Sequence, residues 1–206
     1  MSIINTLLRR TQIKTFDDKK MPSEIMINSL IQKTYELTPS KQSLVPYKVH
    51  ILGPKDTKYK KIFYELSKSQ TGGGNNTNIF APYVLLFTFR LCDNPNESVK
   101  KKIEKGDWYP SCNPKKCRKQ KSQTGIEIGM FAKILTMLCL DKKIDVSYLL
   151  CYPDWDNDKE KNPWTKLDFI TDPVLFSMQL GYCKLKDKEK PLDEYKPDKD
   201  EIINWV

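Results

Sequence analysis

Histidine is nearly absent: His50 is the only one in 206 residues. A structural zinc site takes four nitrogen or sulfur ligands in closely paired spacing. Cys112 and Cys117, in a polar stretch, lack such partners and read as two surface thiols near lysines. A nucleophile–base pair is also hard to build, because His50 lies inside the alternating run "PYKVHIL" and no cysteine sits in a recognisable nucleophile turn. His50 is therefore expected to be a structural residue of a strand. No uninterrupted apolar run approaches the roughly 18 residues of a membrane span, and the N-terminus lacks the pattern of a secretory signal. The expectation is a cytosolic protein with no membrane contact, whose six cysteines are thiols. The glycine-rich "TGGGNN" has neither the GxGxxG order nor the Walker lysine and threonine, and it follows a helix instead of a strand, so it reads first as a mobile surface loop and second as a loop over a ligand. There is no internal repeat.

What is present is a polar, basic, globular composition. Hydrophobic residues make up 39% and charged residues 30%, which excludes a wholly disordered chain, and the length suits a single domain over residues 1–206. Thirty-five basic against 26 acidic residues give a net charge of +9. Such a chain attracts anions: nucleic acid, acidic lipid headgroups or phosphate-bearing cofactors. The lysines are densest at residues 100–105 and 115–121, with Trp108 and Tyr109 nearby. No nucleic-acid motif is present and the aromatics do not recur through the basic runs, so nucleic acid is the weaker candidate.

Periodicity supplies the elements. Ile3, Ile4, Leu7 and Leu8 predict a short first helix, followed by the basic segment "RRTQIKTF". Pro22-Ser23-Glu24 reads as a helix start, with Met26, Ile27, Leu30 and Ile31 on one face to about Tyr35. Residues 46–52 alternate as a strand. Residues 58–67 place Tyr59, Ile62, Phe63 and Leu66 on one face of a helix whose outer face is lysine-rich. Residues 83–89, "YVLLFTF", are apolar on both faces and predict a central buried strand.

Residues 91–120 form a polar excursion outside the core, helical at its start. Residues 124–140 are apolar nearly all round and predict a long buried helix, on which Gly125 and Gly129 allow close approach by a backbone or flat ligand. Residues 146–152 and 174–181 read as two more strands, separated by a charged segment at 154–166. The charged tail, 184–206, ends in an apolar patch of Ile202, Ile203, Trp205 and Val206, expected to dock on a partner. Interleaved helices and strands around one central helix imply an α+β (α/β) sandwich.

Two segments carry a resemblance. Arg10-Thr11-Gln12-Ile13-Lys14-Thr15-Phe16 and Pro39-Ser40-Lys41-Gln42-Ser43-Leu44-Val45-Pro46-Tyr47 resemble the two N-terminal signatures of the nitroreductase family of FMN-dependent oxidoreductases. These are Arg-x-Ser-x-Arg/Lys-x-Phe and Pro-Ser-x-x-Asn-x-Gln-Pro-Trp. The order of "FAPYVLLFTF", "GIEIGMFAKILTMLCL", "VSYLLCY" and "PVLFSMQLGYC" follows the same family through the rest of the chain. The resemblance implies a mixed, mostly antiparallel sheet flanked by helices around a long central helix, and a homodimer with two FMN sites at its interface. It further implies an activity in which NADH or NADPH reduces the flavin and a small acceptor, such as a nitroaromatic or quinone, reoxidises it.

By the same resemblance, Arg10 and the backbone turn at Thr11 and Gln12 would hold the flavin phosphate, and Lys14 would reach the polar edge of the ring. Ser40, Lys41 and Ser43 would approach from the partner chain. Leu150 and Cys151 would pass their backbone along the ring, and Lys190 would reach the phosphate from the C-terminal region. A bound dianion also explains why Arg9, Arg10 and Lys14 are tolerated so close together. Gln12 stands where the family has serine, Ser43 where it has asparagine, Val45 glutamine, Tyr47 tryptophan, and Leu150-Cys151 a common Glu-Gly pair. These changes fall in the pocket. They leave two other readings of the fold: a ligand- or nucleic-acid-binding module without turnover, and an enzyme that modifies flavin itself.

Overall fold

The structure, a computed structural model, describes residues 11–68, 76–117, 121–153 and 162–184, together with Ile202. The expected first helix, Arg10, Lys190 and all of the apolar tail patch except Ile202 lie outside the described residues.

Four helices and four strands carry the described chain: α1 (Glu24–Leu37), β1 (Tyr47–Leu52), α2 (Thr57–Lys68), β2 (Tyr83–Phe89), α3 (Glu97–Glu104), α4 (Lys121–Asp141), β3 (Asp145–Leu149) and β4 (Val174–Gly181). The strands form one sheet in the order β1-β2-β4-β3, and all three pairings are antiparallel. Every residue of β2 is buried, as a strand that is apolar on both faces requires.

Alternation along β2 separates two cores. Val84 and Leu86 face a layer built from Ile13, Phe16, Phe63 and Leu66 of α2, Ile79 and Trp164. Tyr83, Leu85 and Phe87 face Ile27 and Leu30 of α1 together with Ile128, Phe131, Leu135 and Cys139 of α4. Ser23 starts α1 by accepting a hydrogen bond from the Met26 N–H at 3.3 Å. Gly181 closes β4 where no side chain fits: a Cβ there would lie 2.7 Å from Pro82 Cδ and 2.9 Å from Phe16 Cδ1. That close approach pins the N-terminal segment to the sheet, where Phe16 bridges to Cys183 and the Asp17 N–H bonds the Tyr182 carbonyl at 2.7 Å.

Helix α4 is 21 residues long, long and apolar enough to cross a membrane by length and composition. Here one side of it is wall to the second core. The other side, with Gly125, Ile126 and Gly129, faces outward in the single chain, and Ile126 is 65% exposed.

Four expectations change. The strand expected at 146–152 ends at Leu149, its last residue paired with β4, and the chain turns out so that Leu150 is 66% exposed. The excursion is not outside the core, because Cys92 and Val99 enclose Leu44 in a third small cluster. Trp164, placed in a charged separator, is fully buried against Phe63 and Tyr152 and donates from Nε1 to the Pro153 carbonyl at 3.0 Å. Lys60 leaves the lysine-rich outer face of α2: it is buried, and its Nζ donates to the Ala81 and Pro82 carbonyls at 2.8 Å each. Burial, partly offset by Asp56, lowers its ammonium pKa to about 8.

Candidate functional site

The expected site residues fall into two groups, one over each layer of the sheet. In the first, the segment beginning at Thr11 runs across the end of β3. Gln12 turns its side chain inward, and Nε2 donates to Ser147 Oγ at 3.0 Å and to the Tyr148 carbonyl at 2.8 Å. That amide is therefore committed to the sheet, which leaves the backbone of the turn for an anion. Ser147 also accepts from Asn78 Nδ2 at 2.9 Å, tying the segment after the glycine-rich loop to the same point.

Thr77 Oγ1 then donates to the Lys14 carbonyl at 2.9 Å. Lys14 itself is exposed, and no carboxylate among the described residues pairs with it. Beside Thr77, Asn76 Nδ2 is buried without an acceptor. Leu150 and Cys151, the two residues after β3, are exposed. Segments 11–14, 76–77 and 148–151 are thus brought together by hydrogen bonds: one exposed cation without a carboxylate partner among the described residues, one unsatisfied amide donor and the exposed residues Leu150 and Cys151. Such a set can bind an anionic, carbonyl-bearing ligand; it supplies no paired acid and base.

The second group is the loop at residues 40–45. Its backbone is left-handed at Gln42 (φ 55°), Ser43 (φ 58°) and Val45 (φ 43°), none of them glycine. Each such residue costs about 1–2 kcal/mol, and a β-branched valine is the least suited. Ser40 Oγ accepts from the Val45 N–H at 2.8 Å, so this serine closes its own loop. The Lys41 N–H donates to Glu127 Oε1 at 3.3 Å, while the other carboxylate oxygen of Glu127, buried on α4, has no partner. Lys41 and Ser43 are exposed. Tyr47, in the place of the family's tryptophan, is buried against Phe87 and Phe131, and burial, with Glu127 and Tyr35 adding to it, raises its phenol pKa well above the usual range.

Beside this loop a cavity of about 440 Å³ is lined by Tyr35, Ser43, Val45, Tyr47, Arg90 and Phe131 among others. Arg90 crosses from the end of β2, and its Nη1 donates to the Leu44 and Val45 carbonyls at 2.8 and 3.0 Å.

The two groups pack in different clusters. Ile13, Ile79 and Leu149 belong to one core; Leu44, Val45 and Tyr47 belong to the others. Sequence reasoning missed Asn76, Arg90, Tyr109 and Glu127. For Asn76 the signal was there, an asparagine in a turn-rich stretch next to a strand; the other three have no local pattern that marks them. His50 is the structural residue expected, its Nε2 within 3.1 Å of Thr88 Oγ1 and its ring against Phe169, with burial first and Lys48 second lowering its pKa. Cys117 donates from Sγ to the Pro114 carbonyl at 3.7 Å and is buried, and Cys112 packs against the small third core. Neither is the open surface thiol the sequence suggested.

Solved structures share this architecture. A protein of Staphylococcus epidermidis assigned as an NAD(P)H:FMN oxidoreductase matches with a TM-score of 0.73 at 16% identity, over 100% of this chain and 96% of its own. A protein of Exiguobacterium sibiricum assigned as a nitroreductase, in complex with FMN, matches with a TM-score of 0.70 at 14% identity, over 100% and 98%. A nitroreductase family protein of Streptococcus pneumoniae matches with a TM-score of 0.65 at 17% identity over the whole of both chains. No protein-family model matches the sequence, and no curated protein matches it. The chain has the nitroreductase fold.

Proposed function

We propose that this protein is an FMN-dependent oxidoreductase of the nitroreductase type, working as a homodimer. The observation that carries the reading is the convergence of Lys14, the orphaned amide of Asn76 and the exposed residues Leu150 and Cys151 on one edge of a fold shared with an FMN-bound protein. These residues fit the cofactor. A buried donor without an acceptor has lost its hydration for nothing, and the carbonyl edge of a flavin ring restores that bond. Lys14 holds negative charge at the same edge, and Arg10 with the turn at Thr11 and Gln12 neutralises the phosphate. Bound FMN supplies hydride transfer between NADH or NADPH and a small acceptor such as a nitroaromatic or quinone. The chain's own residues bind and orient it, and no side chain is assigned as acid or base.

Two features support the second copy. Ser40, Lys41 and Ser43 sit over the opposite sheet layer from Lys14, so one flavin meets both groups through two chains. The outward side of α4 offers the apolar, small-residue face, Gly125, Ile126 and Gly129, on which another backbone can approach closely.

The test is FMN addition to purified protein, gel filtration, and anaerobic NADH or NADPH. A retained yellow band that the reductant bleaches is expected, and Arg10→Ala should weaken FMN binding by about 1.5–3 kcal/mol. A colourless protein after gel filtration overturns the reading and leaves a binding module without turnover.

A further inference from the structure

The excursion after β2, which the flavin reading does not use, has a specific task in the structure. Three residues of the 40–45 loop adopt left-handed backbone without glycine, and beside the Ser40 bond within the loop and the Lys41 N–H bond to Glu127, the side chains that hold it come from residues 90–109. Arg90 donates through Nη1 to the Leu44 carbonyl at 2.8 Å and the Val45 carbonyl at 3.0 Å. Asn96 donates through Nδ2 to the Gln42 carbonyl at 3.0 Å, while its Oδ1 accepts from the Val99 N–H at 3.0 Å and so caps α3. Tyr109 Oη accepts from Gln42 Nε2 at 2.7 Å. Leu44, at the centre of the loop, is 2% exposed, enclosed by Cys92 and Val99 with Tyr109 and Cys112 against them. The carbonyls of Gln42 and Val45, two of the strained residues, and the carbonyl of Leu44 between them are each held by a side chain at the end of β2 or in the excursion that follows it.

We infer that Arg90, Asn96 and Tyr109 are positioning residues that keep the 40–45 loop in the strained shape it presents to the flavin of the partner chain. The inference rests on the FMN reading above. A loop with this backbone relaxes when its carbonyls are released, so the lock sets how well Ser40, Lys41 and Ser43 meet the ring. Arg90 is the strongest member, since its charged Nη1 bonds two adjacent carbonyls.

Arg90→Ala, Arg90→Lys and Tyr109→Phe, checked for folding by circular dichroism, are titrated with FMN, and the visible spectrum of the bound flavin is recorded. Affinity is expected to fall about tenfold in Arg90→Ala, to recover partly in Arg90→Lys, and to fall about threefold in Tyr109→Phe. The flavin band should shift in each, a change that loss of stability alone does not produce. Should Arg90→Ala fail to fold, Tyr109→Phe, which removes one oxygen atom, decides. Variants that bind FMN with wild-type affinity and an unshifted band overturn the lock while leaving the FMN reading intact. A wild-type protein that binds no FMN overturns the FMN reading, and the lock falls with it.

Discussion

The two halves of the candidate site are held in place by opposite means. The segment from Thr11 to Lys14 lies on the sheet and is fastened by its own side chain at Gln12 and by Thr77, with Phe16 beneath. The 40–45 loop carries left-handed residues and depends on Arg90, Asn96 and Tyr109, some 45 to 70 residues further along the chain. A site half resting on a sheet inherits the rigidity of the ladder. One made of strained loop is as rigid as its outside contacts, so the loop is where this protein can alter how it meets a ligand without disturbing its core.

The largest expected effect breaks the sheet-borne half. Trp164 is fully buried between Phe63 and Tyr152, and its bond to the Pro153 carbonyl anchors the turn that follows Leu150 and Cys151. Trp164→Ala should cost about 3–5 kcal/mol, read from urea unfolding. A loss below about 1 kcal/mol would mean that this half is not anchored through the core.

A smaller effect comes from Lys60, which holds the Ala81 and Pro82 carbonyls just after the turn that carries Asn76 and Thr77. Its pKa is lowered to about 8 in the folded protein from 10.5. Between those values the unfolded chain binds the extra proton, so stability should rise as pH increases from about 8 to 10.5, and this contribution should be absent below pH 8. Lys60→Met removes the titrating group and should flatten that rise in thermal unfolding across the window. An unchanged pH profile in the variant would assign the slope to other groups.

The smallest effect sharpens the contrast from the loop side. Ser43 is exposed with φ 58°, so Ser43→Gly relieves left-handed strain without loss of packing. It should stabilise the protein by about 0.5–1 kcal/mol, against the added flexibility of glycine, and raise the thermal midpoint by a few degrees. A lowered midpoint would show that the loop is not strained at that residue.

The legible parts of the molecule were those written in local pattern. Strands at 83–89 and 174–181 coincide with β2 and β4 because short, mostly apolar runs rich in strand-forming residues have few other places to go. Ser23 announced α1, and the long apolar helix expected at 124–140 lies within α4, which runs from Lys121 to Asp141. Lys60 and Trp164 were misplaced for one reason: charge and neighbourhood in sequence say where a side chain tends to be, while a carbonyl pair or an aromatic stack across the fold says where this one goes. The signature residues drew attention to Lys14, Gln12 and Ser40, but not to Thr77, Arg90, Asn96 and Tyr109, which hold their segments from elsewhere in the chain.

By itself, then, the sequence determined the elements, the two-layered sandwich and the basic segment next to it, since hydrophobic period and capping act over a few residues. Tertiary structure alone decided that Gln12 spends its amide on the sheet, that Lys60 is buried, and that the excursion encloses Leu44 and grips a strained loop. Those outcomes depend on hydrogen-bond partners brought together only after the chain has closed on itself, and no local period encodes them.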